Sequence, residues 1–206
     1  MIKIKVCGIT RREDAFSLAG LGVDFLGFIF YPKSPRYIKP ARAAAIIRQL
    51  KDGRIRKVGV FVNEPAETIN RTVKECGLDL VQLHDLNSPA FYASIQVPVI
   101  KVFNVEQASD LEGIEEFDKT VKYYLFDAKL KGLHGGIGRS FDWDLLRKKS
   151  VQKEFFLAGG LNENNIVSAC GIRPFAVDLN SGVEVAPGTK DPRVVARIMS
   201  LVEGFR

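Results

Sequence analysis

Strand-like and helix-like segments alternate along this chain, and no hairpin turn is expected to join two strands. Short β-branched or apolar runs at residues 2–7, 25–30, 58–62, 80–83, 99–103, 123–126, 155–157 and 175–177 read as strands. Helices are expected after them at 13–21, 41–50, 64–76, 88–95, 107–117, 142–148, 164–169 and 192–202. A strand that is always followed by a helix pairs in parallel with the next strand, because only a crossover returns the chain to the same sheet edge. Residues 25–30 are apolar almost throughout, as a strand covered on both faces must be. The open alternative, a doubly wound sheet, carries a glycine fingerprint in its first turn, whereas this first turn is Cys7-Gly8-Ile9-Thr10. Eight units of about 25 residues favour closure. The expected fold is α/β: a (β/α)8 barrel in one domain over residues 1–206, with no linker to divide it.

Composition narrows the functional classes. No apolar run is long enough for a membrane span, and none at the N-terminus suits a signal peptide. Three cysteines without paired spacing argue against a disulfide framework and fit a reducing cytoplasm. The formal charge of +6 suits an anionic small molecule. Lysine and arginine are scattered rather than clustered, which makes nucleic acid a poor partner. His84 and His134 have no metal-ligand spacing with the cysteines, so no metal is expected. Oligomeric state stays open, with a homodimer among the possibilities.

In a barrel of this kind, chemistry belongs at the C-terminal ends of the strands and in the loops after them. Those positions hold Cys7, Arg36, Asn63, His84, Asp127, Gly159-Gly160 and Asp178. Cys7 is either a small buried hydrophobe or a thiol near arginines and helix N-termini, partly ionised and able to act as a base. Gly8 after it would let a ligand approach, and Thr10 would cap the first helix. Cys76 and Cys170, at helix ends, read as core. Asp127 ends an apolar strand; it is a cap for the following segment or an acid whose pKa rises by burial against Tyr124 and Phe126. Arg36, on a loop stiffened by Pro32 and Pro35, is solvated or grips a carboxylate with its fork. His84 is a hydrogen-bonded structural group or a substrate contact. Glycine-rich loops follow strands six, seven and eight ("GLHGGIGRSFDW", "LAGGLNENN", "DLNSGVE"). Backbone N–H groups at Gly160 and Ser181-Gly182, with a short extra helix, would hold a phosphate dianion without a lysine.

Together, "KVCGIT", "GFIFYPKSPRYI", "GVFVN", "VQLH", "LFDAK", "GGIGRSFDW", "LAGGL", "PFAVDLNSGVE" and "PGTKD" occur in order along the chain. In them the sequence resembles the phosphoribosylanthranilate isomerase family of tryptophan biosynthesis. The resemblance implies an Amadori rearrangement with Cys7 as general base and Asp127 as general acid. It implies that Arg36 holds the anthranilate carboxylate, that His84 and Asp178 contact substrate, and that Gly136, Gly159, Gly160, Ser181 and Gly182 surround the phosphate. No cofactor is implied, since the substrate nitrogen is the electron sink. Asp85, Ile137 and Asn180 depart from the family pattern, which has glycine, a small hydroxyl residue and serine there. The nearest rival is the related isomerase of histidine biosynthesis, which resembles this chain but has aspartate at position 7. A barrel that only senses a phosphorylated metabolite would need neither Cys7 nor Asp127.

Overall fold

The computed structural model describes residues 1–50, 53–84, 88–127, 143–149 and 151–206. Eight strands close into a barrel in chain order: β1 (Lys3–Val6), β2 (Phe25–Ile29), β3 (Arg56–Val62), β4 (Leu80–His84), β5 (Val99–Asn104), β6 (Tyr123–Asp127), β7 (Phe155–Ala158) and β8 (Ala176–Leu179). Every neighbouring pair is parallel, and β1 closes the barrel against β8 with Lys5 opposite Asp178. The described helices are α1 (Arg12–Leu21), α2 (Pro40–Ile47), α3 (Ala66–Cys76), α4 (Pro89–Ala93), α5 (Asp144–Lys149), α6 (Ile166–Cys170) and α7 (Pro192–Leu201).

Side chains alternate across each strand, so the barrel has two cores. The outer core lies between strands and helices and includes Ile4, Val6, Leu26, Phe28, Tyr124, Phe126 and Leu157. The inner core is filled by Phe25, Val58, Leu80, Ile100, Val102, Leu125, Phe156, Ala158 and Ala176. Aromatic rings close its lower part: Tyr123 stacks on Phe175 at 4.9 Å, and Phe25 meets Phe156 edge-on at 5.2 Å. The barrel is therefore packed below, and polar side chains occupy the inner positions above.

Several local expectations are corrected. Residues 107–117 do not form one helix but two 3-10 turns, Ala108–Leu111 and Ile114–Phe117, interrupted by Gly113 at φ 72°. Thr10 does not cap α1; Arg11 takes the cap position, and the Thr10 hydroxyl donates to the Gly188 carbonyl at 2.6 Å. After β8 the chain makes a 3-10 turn (Ser181–Val183) and then a small antiparallel ribbon, β9 (Glu184–Ala186) with β10 (Thr189–Lys190). No hairpin was expected there. Its turn runs through Pro187 and Gly188, the latter at φ 80° beside Thr10. Gly77 does end α3 in the left-handed conformation, at φ 67°.

Candidate active site

Cys7 follows β1 directly and packs inside the barrel against Ile29, Val60 and the half-buried Tyr31. It is only 3% exposed. Room for the sulfur comes from β2: a Cβ on Gly27 would lie 2.7 Å from Cys7 Sγ. Gly8, at φ 80°, does not open onto space. A Cβ there would lie 2.8 Å from Arg36 Cδ and 3.0 Å from Asn180 Oδ1, so this glycine admits the arginine.

Two residues before Cys7 on the same inward face stands Lys5, fully buried. A buried ammonium is costly unless paired. Lys5 Nζ donates to Asp178 Oδ2 at 2.6 Å and to Gln82 Oε1 at 2.8 Å. Since Gln82 Oε1 is taken by Lys5, its amide nitrogen is the group 2.9 Å from His84 Nε2. The network thus makes that ring nitrogen an acceptor and assigns the ring proton to Nδ1. Asp178 is 7% exposed and lies within β8 rather than at its end. Its second oxygen, Oδ1, is buried with no hydrogen-bond partner among the described residues.

A second buried cluster sits on the other side of the thiol. Glu184 of β9 accepts from Arg36 Nε at 2.9 and 3.0 Å, from Arg36 Nη2 at 2.6 Å, from Lys190 Nζ at 2.8 Å and from the Gly188 N–H at 3.0 Å. Lys190 Nζ also donates to Asn180 Oδ1 at 3.0 Å, and its N–H to the buried Asp14 at 3.0 Å. Asn180, one of the departures from the family pattern, therefore helps hold Lys190. The Arg36 fork expected to be open for a ligand carboxylate already holds an internal one, which leaves Nη1 and the outer N–H of Nη2.

The electrostatics follow. Burial raises the Cys7 thiol above its ordinary value of 9.0, and Lys5 and Lys190 pull against it without prevailing. Desolvation therefore opposes the ionisation expected from nearby positive charge, and the lysines, rather than arginines or helix ends, are the groups that favour it. Lys5 is held above 10.5: burial lowers it, but Asp178 and Cys7 outweigh burial. Burial alone would raise Glu184, yet hydrogen bonds from Arg36 and Lys190 hold it below 4.5. Arg36 is raised in turn, chiefly by its hydrogen bond to Glu184.

Asp127 is the last residue of β6, half-buried, and shares the inward face of Leu125. Tyr124 and Phe126 belong to the outer core, and the Tyr124 hydroxyl donates to the Ile114 carbonyl at 2.6 Å. These two rings therefore cannot bury the Asp127 carboxyl as expected, since alternation turns them outward. Asn63 follows β3 at φ 51°, and His84 ends β4.

Across the mouth, Gly159 and Gly160 follow β7 with φ of 99° and 64°. Space around a Cβ on Gly160 is open, and its carbonyl accepts from Asn162 and Asn165 side chains at 2.9 and 3.1 Å. Gly182 touches the same loop: a Cβ there would fall 2.0 Å from the Leu161 carbonyl oxygen. The loops after β7 and β8 thus meet at Gly182, with Ser181 exposed at the start of a single 3-10 turn that replaces the expected short helix. Gly136, Asp85, Ile137 and His134 lie outside the described residues. Lys5, Gln82, Glu184 and Lys190 were not expected in the site. Among the described residues no group of three or more His, Cys, Asp or Glu could hold a metal ion, and no helix is long and apolar enough to cross a membrane.

The family model of N-(5'-phosphoribosyl)anthranilate (PRA) isomerase matches residues 4–200. The chain belongs to the N-(5'-phosphoribosyl)anthranilate isomerase family. The PRA isomerase of Pelobacter propionicus is 46% identical over 207 residues, covering 100% of this chain and 98% of that one. A structure of the isomerase from Thermotoga maritima, described as monomers of a dimeric enzyme, superposes with a TM-score of 0.87 at 36% identity, over 99% of this chain and 100% of that one. With the same TM-score, identity and coverage, a PRA isomerase was solved in complex with reduced 1-(o-carboxyphenylamino)-1-deoxyribulose 5-phosphate. Family membership decides the first-strand rivalry, since the matching family model and the full-length relatives are those of this isomerase family.

Proposed function

We infer that the chain catalyses the Amadori rearrangement of N-(5'-phosphoribosyl)anthranilate to 1-(2-carboxyphenylamino)-1-deoxyribulose 5-phosphate, an isomerisation in tryptophan biosynthesis. The observation that carries this reading is the end-to-end family match, and the inward placement of Cys7 and Asp127 at two strand ends of one barrel mouth agrees with it. In this mechanism protonated Asp127 donates to the furanose ring oxygen, the C1–O bond breaks, and the anilino nitrogen supplies the electrons that form the iminium ion. Cys7 as thiolate then removes the C2 proton, and the C2–H electron pair moves into the enolamine. Protonation of C1 and loss of the enol proton give the ketone, so the reaction is an isomerisation with no net change in protons. General acid and base each contribute on the order of 10²–10⁴-fold.

The open donors of Arg36 hold the anthranilate carboxylate beside the one already bound. The unpartnered Asp178 Oδ1 accepts from the substrate N–H or a ribose hydroxyl, which removes the cost of a buried lone acceptor. Backbone N–H groups around Gly160, Ser181 and Gly182 take the phosphate, with Gly159 beside it and His84 on the substrate side. Three free cysteines suit a reducing cytoplasm. The dimeric description of the Thermotoga maritima enzyme makes a homodimer the assembly to test by light scattering. The deciding experiment is a steady-state assay with freshly prepared phosphoribosylanthranilate: turnover is expected, and none by correctly folded protein would overturn the reading.

A further inference from the structure

The described charges around Cys7 do not balance. Lys5 of β1, Lys190 of β10 and Arg36 after β2 bring three cations, against the carboxylates of Asp178 on β8 and Glu184 on β9. Tyr31 is the further titratable neighbour in the cluster around the sulfur, and β2 itself contributes only Gly27 and Ile29 there. The surplus positive charge favours ionisation of Cys7 and works against the burial that opposes it.

The three cations are not equivalent. Arg36 turns Nε and one N–H of Nη2 to Glu184, and Lys190 gives one donor to Glu184 and a further one to Asn180. An ammonium has three N–H donors. Lys5 gives one to Asp178 and one to Gln82, which leaves one. Lys5 and Cys7 lie two residues apart on one inward face, and the charge of the buried Lys5 ammonium favours the ionised sulfur.

We propose that Lys5 is a positioning residue that biases Cys7 toward the thiolate against the burial that opposes it, with Asp178 and Gln82 fixing its ammonium so that its charge stays beside the sulfur. The proposal rests on the reading of Cys7 as the base. When Cys7 takes the C2 proton it becomes a neutral thiol, the Lys5–Asp178 pair remains, and the proton later leaves the sulfur with the ion pair unchanged. Asp178 has the opposite influence: its negative charge opposes ionisation of the same sulfur. Lys5 and Asp178, though bonded to each other, must therefore shift Cys7 in opposite directions. A merely structural pair would not.

The test titrates thiolate absorbance near 240 nm in a Cys76→Ala/Cys170→Ala background, with Cys7→Ser subtracted, and needs no substrate. Lys5→Met is expected to move the Cys7 midpoint up by at least about one pH unit, a tenfold loss of thiolate at fixed pH. Asp178→Asn is expected to move it down, and Lys5→Arg to restore most of the Lys5→Met shift. In turnover, Lys5→Met lowers kcat with KM within about threefold, because transition-state stabilisation alone is lost. A midpoint unchanged in folded Lys5→Met, or shifted the same way by both substitutions, overturns the proposal. If Lys5→Met does not fold, Lys5→Arg and Asp178→Asn still decide: Asp178→Asn must lower the midpoint, and an upward shift refutes the scheme. Opposite shifts in a protein without isomerase activity would uphold the wiring and reject the function.

Discussion

The two sides of the barrel mouth are built by opposite means. On the β1–β2 side, five charged side chains are tied by bonds of 2.6–3.0 Å, with Lys5, Asp178 and Lys190 buried and Arg36 and Glu184 half-buried. On the β7–β8 side, the working groups are backbone at Gly159, Gly160 and Gly182, shaped by left-handed conformations and close loop contact, with Gly160 and Ser181 open to solvent. Buried ion pairs are expensive to assemble and cost about 3–5 kcal/mol when one partner is removed. Backbone donors do not titrate near neutral pH. In the proposed mechanism one side thus sets protonation, where reactivity is decided, while the other would hold the phosphate whatever the state of the thiol.

The comparison breaks most sharply at the sulfur. Cys7→Ser should abolish turnover while leaving the circular dichroism spectrum and Tm near those of the parent, because the hydroxyl fits the space left by Gly27 but cannot ionise there. Retained kcat would make Cys7 a packing residue. Next in size, Asp127→Asn should lower kcat at least about a hundredfold, the lower range for loss of a general acid, with KM little changed. Near-full activity in that variant would place the acid elsewhere.

Arg36→Met is expected to raise KM by about tenfold or more, as a charge-assisted clamp worth ~1.5–3 kcal/mol disappears. It should also lower Tm, since Glu184 loses three of its hydrogen bonds. A large fall in kcat at constant KM would reassign Arg36 to the chemistry. The smallest effect is expected across the mouth. Gly182→Ala would force the loops after β7 and β8 apart, because its Cβ would overlap the Leu161 carbonyl. Calorimetry should then show several-fold weaker inorganic phosphate binding, an effect below ~1.4 kcal/mol, with the Cys7 titration unmoved. A shifted thiol midpoint in Gly182→Ala would show that the two sides are not independent.

The barrel was readable from its alternation because eight apolar runs of strand length need no long-range information to be recognised. The polar residues that end those runs were readable for the same reason: Cys7, His84 and Asp127 lie where an apolar strand stops. Lys5 escaped notice because a lysine in an alternating strand reads as solvent-facing, and only closure reverses which face is dry. The parity with Cys7 was the available signal. Glu184 and Lys190 escaped because β9 and β10 have three and two residues, too few for a periodic pattern. Adjacency in sequence suggests that Tyr124 and Phe126 bury Asp127, although neighbours in a strand point to opposite faces. The segment at 107–117 has helix-like composition, but Gly113 turns the chain left-handed in its middle.

The ion pair between Lys5 and Asp178 joins residues 173 positions apart. During synthesis the strand carrying the thiol is made first and its β8 neighbour eighth, so β1 waits through nearly the whole chain with one edge unpaired. Until then Lys5 lacks its carboxylate, and Glu184 and Lys190 do not yet exist to enclose Arg36. Assembly of the reactive centre therefore coincides with the last closure event, and the loop entropy it must overcome is among the largest the chain can present. An incomplete chain would expose Cys7 as an ordinary thiol, open to oxidants that the finished barrel keeps out.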